Sequence, residues 1–88
     1  PVRDLAITPD GTKIFLAMEF SGLKQIVTAT GAVSTVSTVT CPEGVAVTPD
    51  GQTLYVNYQC GGPGGRGGHD AIGRFNVATG AFLGSITG

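Results

Sequence analysis

The chain has 88 residues, of which 12% are charged, with five Lys/Arg against six Asp/Glu for a net charge of −1. The basic residues Arg3, Lys13, Lys24, Arg66 and Arg74 are scattered along it, which argues against a nucleic-acid partner and against electrostatic attachment to a membrane. No apolar run approaches the roughly 18 residues of a membrane span, and the opening on Pro1, with no leader-like segment, reads as a cut or processed end.

In chain order, apolar residues crowd Leu5 to Ile7 and then Ile14 to Met18, separated by Thr8-Pro9-Asp10-Gly11. Pro9 presets φ for a turn, Asp10 can accept backbone N–H bonds, and Gly11 supplies the positive φ, so two strands joined by a hairpin are predicted. A third strand is predicted over Gln25 to Ala29. A turn at Thr30-Gly31 then leads into a Ser/Thr/Val-rich fourth strand over Ala32 to Thr40, the composition of an outer edge that meets solvent.

The pattern then begins again. Leu5 to Ala17 recurs forty positions later as Val45 to Asn57, with Ala, Thr, Pro, Asp and Gly kept in register. Pro49, Asp50 and Gly51 repeat the turn chemistry, Arg74 to Ala78 is the second copy of the third strand, and Thr79-Gly80 is its turn. Ala29-Thr-Gly-Ala32 returns as Ala78-Thr-Gly-Ala81, nine residues later than a period of forty predicts. The excess is a glycine-rich insertion, residues 61–69, with no counterpart in the first copy. A period near 40 made of short strands is that of a β-propeller blade. The expected fold is therefore all-β: two four-stranded antiparallel blades, 1–41 and 42–88, the second carrying the insertion.

The first two strands of each unit are apolar on both faces: Ile14 and Leu16 against Phe15 and Ala17, then Leu54 and Val56 against Tyr55. Strands covered on both sides read this way, as inner strands of face-to-face blades must. Two blades cannot close a propeller, for which about four to eight are needed, and a lone pair would leave Ile14, Leu16, Leu54 and Val56, or their opposite-face neighbours, exposed. Further blades are the expected partners, supplied either by identical copies as a trimer or tetramer, or by the rest of a longer chain.

Pro42 to Asn57, followed by an Ala-Thr-Gly turn, resembles the YVTN-type propeller repeat, within the broader group of lactonase-like and NHL-like propellers. The Pro-Asp-Gly hairpin followed by Leu54-Tyr55-Val56-Asn57 is the most specific part. The resemblance implies an extracellular, cell-surface or periplasmic protein of six to eight blades, against the two present here.

Three features are candidates for chemistry. Pairing Thr48 with Thr53 across the second hairpin sets Val45 opposite Val56 and Cys41 opposite Cys60, spacing that suits a disulfide worth roughly 3 kcal/mol on the chain-entropy model. Two free thiols, or a metal site with His69, are the alternatives. The insertion offers Gly61, Gly62, Arg66, His69 and Asp70 as a loop for a ligand or partner; it lacks the Lys-Ser/Thr of a phosphate loop, so a low-complexity surface loop is the simpler reading. Asp10 and Asp50 invite a calcium reading, but their place in a Pro-Asp-Gly turn is explained by turn hydrogen bonding. Arg3, Asp4 and Glu43 mark the starts of the innermost strands. Glu19 and Glu43 form no acid–base pair, and no cofactor is expected.

The sequence therefore reads as a non-catalytic scaffold or binding module outside the cytoplasm, with a protein or glycan as its ligand. The alternatives are a fragment of a lactonase-like or amine-dehydrogenase-like enzyme whose active residues lie in other blades, and the repeating unit of a surface layer or filament.

Overall fold

Alternating side chains of high β propensity, interrupted by Pro-Asp-Gly and Thr-Gly turns, fold among the described residues as eight strands of six residues each. The computed structural model describes residues 2–18, 21–38, 41–58 and 71–87. Cys60 and the insertion residues Gly61, Gly62, Arg66, His69 and Asp70 lie outside the described residues.

The strands are β1 (Val2–Ile7), β2 (Lys13–Met18), β3 (Gly22–Val27), β4 (Ala32–Ser37), β5 (Pro42–Val47), β6 (Thr53–Tyr58), β7 (Ala71–Asn76) and β8 (Phe82–Thr87). They form two four-stranded antiparallel meanders, β1-β2-β3-β4 and β5-β6-β7-β8, and no helix occurs among the described residues. The ladders confirm the forty-residue period: Leu5 faces Leu16 where Val45 faces Val56, and Ile7 faces Ile14 where Val47 faces Leu54.

The third strand of each sheet and the end of β4 differ from the sequence expectation. The third strand of each sheet starts and ends earlier, at Gly22–Val27 and Ala71–Asn76. The cause is the following turn, which reaches back: Gly31 N donates to Val27 O at 2.8 Å and Gly80 N to Asn76 O at 2.7 Å. Thr28 and Val77 each keep one cross-strand bond, to Thr12 O at 3.0 Å and Gln52 O at 2.9 Å, but with Ala29 and Ala78 they belong to the turn and not to the strand. β4 ends at Ser37, short of Thr40, and is largely exposed as an outer edge.

The two sheets pack face to face, with β1 and β2 against β5. Between them lies one core of Phe15, Leu23, Leu54, Val56, Tyr58, Phe75 and Val77, with Val36, Val45 and Val47 at its margin. Of the two sets expected to lie bare, the apolar positions or their opposite-face neighbours, each sheet leaves a different one open. Leu54 and Val56 are fully buried, whereas Ile14 and Leu16 remain only partly covered on the outer side of the first sheet.

Candidate functional site

The two Thr-Pro-Asp-Gly turns are built by their own side chains. Asp10 Oδ1 accepts from Thr8 Oγ1 (2.7 Å), Thr12 N (3.0 Å) and Thr12 Oγ1 (2.7 Å), while Thr8 Oγ1 accepts from Lys13 N at 3.1 Å. Gly11 and Gly51 sit at φ 74° and 73°, a conformation that glycine adopts without steric cost. In the second turn Asp50 Oδ1 accepts from Thr48 Oγ1 and from Gln52 N; Gln52 stands where Thr12 supplied a hydroxyl. The backbone and side-chain hydrogen bonds from Thr12, followed by that from Thr8, lower the Asp10 pKa to about 2. Asp50 is lowered too, chiefly by Thr48. These carboxylates serve the turns, and among the described residues no group of three His, Cys, Asp or Glu is placed to hold a metal.

Arg3 and Glu43 occupy equivalent bulges, between Val2 and Asp4 and between Pro42 and Gly44. A bulge re-aims a side chain out of the regular alternation, and here the two meet as an ion pair, Arg3 Nε to Glu43 Oε2 at 3.4 Å. Neighbouring Asp4 bridges the sheets: Oδ1 accepts from its own strand at Leu5 N (2.9 Å), Oδ2 from Val45 N (3.0 Å). At the opposite end, Lys13 Nζ donates across the junction to Val77 O at 2.7 Å and Ala78 O at 3.4 Å. The sequence named Arg3, Asp4 and Glu43 as inner-strand residues but gave no sign that they pair; the bulges that bring them together leave no local signature.

The bulge at Glu43 also changes the reading of Cys41. From Val45↔Val56 and Gly44↔Asn57 an unbroken ladder would carry Cys41 to Cys60, but the register shifts by one at Glu43, so that Pro42 pairs with Tyr58. Cys41 lies just outside that ladder at φ 64°, partly buried.

Beyond these groups, the largest features are two open sheet faces. In the first sheet Phe15, Ala17 and Leu23 are buried against the second sheet, while Leu5, Ile7 and Val33 on the other side are 54%, 56% and 62% exposed. In the second sheet the pattern is inverted: the equivalents of Leu5 and Leu16, namely Val45 and Val56, face the core. Tyr55 and Ile72, equivalent to Phe15 and Leu23, are exposed. Tyr55 thus lies on an open face. Tyr58 is fully buried beneath Gly73, its hydroxyl without a hydrogen-bond partner among the described residues, and burial raises its pKa. Arg74, on the open face, donates from Nη2 to Leu83 O at 3.2 Å, while its Nε is buried without a partner among the described residues.

No family model matches the chain, and no curated protein does. Solved structures do. The chain is similar to hydrazine synthase of Kuenenia stuttgartiensis, with a TM-score of 0.78 and 21% identity over 98% of this chain and 23% of that one. It is similar to U3-55K at 0.72 and 20% identity, and to the WD40 repeats of RRP9 at 0.71 and 21%, each over 99% of this chain and 26% of the other. The chain spans about a quarter of the length of these structures. At such identities the likeness is one of fold: two blades of β-propeller type, resembling part of a larger propeller.

Proposed function

We propose that the chain is a non-catalytic propeller module that acts outside the cytoplasm as a binding or structural scaffold, completed by further blades. Those blades come from identical copies or from the remainder of a longer chain. The observation that carries this reading is the reversed pair of faces. Each kind of surface that is covered in one sheet is bare in the other, so the molecule presents two unfinished blade junctions.

The Pro-Asp-Gly hairpin leading into Leu54-Tyr55-Val56-Asn57 supports kinship with the YVTN-type repeat. A Cys41–Cys60 bridge and an oxidising compartment belong to the same reading. They are supported by the finding that, among the described residues, no cysteine is free. Non-reducing mass spectrometry of native protein checks the bridge, and two alkylatable thiols would remove it. Gly61, Gly62, Arg66, His69 and Asp70 are the loop to which a protein or glycan ligand is assigned, because recognition is commonly carried by loops on a rigid scaffold.

The test of the scaffold reading is a single polypeptide of three or four tandem copies joined by short Ser/Thr spacers. It is expected to fold as a soluble, monomeric, all-β protein that unfolds cooperatively. Failure to fold would overturn the blade reading, and turnover of lactones above background would replace the scaffold with an enzyme.

A further inference from the structure

The junction inside the chain is a template for what covers its two open faces. In it, the Val45 side of the second sheet (Val45, Val47, Leu54, Val56, Phe75) meets the Phe15 side of the first (Phe15, Ala17, Leu23). The register assigns each residue an equivalent: Leu16 pairs with Lys24 as Val56 pairs with Gly73, and Ile14 with Ile26 as Leu54 with Phe75. The open face of the first sheet, with Leu5, Ile7, Ile14, Leu16 and Ile26, is therefore the same kind of surface as the covered Val45 side. The open face of the second sheet, with Ala46, Tyr55, Asn57, Ile72 and Arg74, is likewise the counterpart of the covered Phe15 side, Arg74 standing where that side has Gln25. The chain carries one half of its own internal junction at each end.

From this we infer that separate copies pack head to tail, the Tyr55 face of one copy receiving the Leu5 face of the next, and that the contact closes on three or four copies. The inference rests on the scaffold reading and adds the partner and the pairing of faces. Three observations favour a second copy. The Tyr55 face has a shallow groove of about 240 Å³ between Gly44, Ala46, Tyr55, Asn57 and Ile72, closed at one side by Asp4 of the first sheet, and open to the side chains that the Leu5 face projects. The bulged charges are complementary in both junctions. Arg3 meets Glu43 inside the chain at 3.4 Å, and repeating that geometry sets Glu43 against Arg3 of the next copy, so the bulged positions bring no like charges together. The one cation on the Leu5 side among the described residues, Lys24, is led toward the outer strand by its bond to Thr35 Oγ1 at 2.6 Å, which keeps its charge away from the apolar centre. A heterologous contact either closes or propagates; successive blades turn about one axis, which favours closure.

Leu5→Asp and Ile72→Asp block opposite faces at exposed positions, so neither carboxylate has to be buried for the chain to fold. Sedimentation velocity of the unaltered chain is expected to give three or four times the mass of one chain. Each variant alone is expected to be a single chain with an unchanged far-ultraviolet spectrum. An equimolar mixture is expected to give a pair and nothing larger, because one unblocked face of each kind remains. Ile7→Asp and Tyr55→Asp repeat the test should a first variant fail to fold. Self-association of either single variant, a mixture that stays monomeric, or an open-ended polymer of the unaltered chain would overturn the inference. If the unaltered chain is monomeric while the tandem polypeptide folds, head-to-tail closure of separate copies fails and the blade reading stands; if both fail, the blade reading fails with it.

Discussion

Gly73 tests the packing between the two sheets most directly. It lies in β7 opposite Val56, and a Cβ there would stand 3.0 Å from Tyr58 Cε2 and 3.3 Å from Phe75 Cε1. Tyr58 and Phe75 are 0% and 2% exposed, so neither ring has free space to enter. Overpacking of this kind costs about 1–3 kcal/mol, partly offset by about 0.4–1 kcal/mol from the lower chain entropy of alanine where the backbone is unstrained. Gly73→Ala is therefore expected to lower stability by about 1–2 kcal/mol. Gly44→Ala is the control: its Cβ would meet only Asp4 Oδ2, at 3.6 Å, and it should be neutral or slightly stabilising. Urea unfolding followed by circular dichroism gives both values. Adding Tyr58→Leu should make the Gly73→Ala penalty smaller, a coupling that a double-mutant cycle measures. A Gly73→Ala protein as stable as the parent would show that the Tyr58 ring does not occupy this position.

Two further outcomes follow from individual residues. Val56→Asp places a carboxylate at a fully buried site and should cost more than about 4 kcal/mol, abolishing the native circular dichroism signal. Leu16→Asp on the open face should leave that signal intact, so a folded Val56→Asp protein would reverse the assignment of faces. The folded pKa of Asp10 lies below its ordinary value of 3.8, at about 2. Its contribution to stability is thus present above pH 3.8 and is lost as pH falls toward 2. Carboxyl-carbon NMR should show this titration, with Thr12→Val raising the midpoint by removing a hydroxyl donor; an unchanged midpoint would contradict the turn geometry.

The turns were legible because their hydrogen bonds are local: Thr8, Asp10 and Gly11 contain both the donors and the conformation that the hairpin uses. The forty-residue register followed from the same motif. The ends of the third strands were not legible, since the Thr30-Gly31 turn borrows Thr28 and Ala29 from a run that reads as strand. Nor was the covered side of each sheet, because Ile14 and Leu16 are as apolar as Phe15 and Ala17. One signal did exist. Asn57 stands at the equivalent of fully buried Ala17, and an amide tolerated there marks the second sheet's face as the open one. The pairing of Arg3 with Glu43 depends on two bulges that shift register without any glycine or proline at the bulged position.

The two sheets share a register but differ at the residues that tie them together. Asp4 sends a carboxylate to Val45 N, while its equivalent is Gly44; Lys13 sends an ammonium to Val77 O, while its equivalent is Thr53. Hydrogen bonds with one charged partner are roughly twice as strong as neutral ones. Glycine has no group to offer, and a threonine hydroxyl lacks the reach of the lysine chain. Any contact made by the Tyr55 face therefore keeps the Glu43 charge but forgoes both of these bonds, and sets Asn57 where the internal junction has Ala17. The junction inside the chain is thus tied by two charged hydrogen bonds that the open Tyr55 face has no side chains to repeat, which makes the pair of sheets, and not the single sheet, the coherent unit.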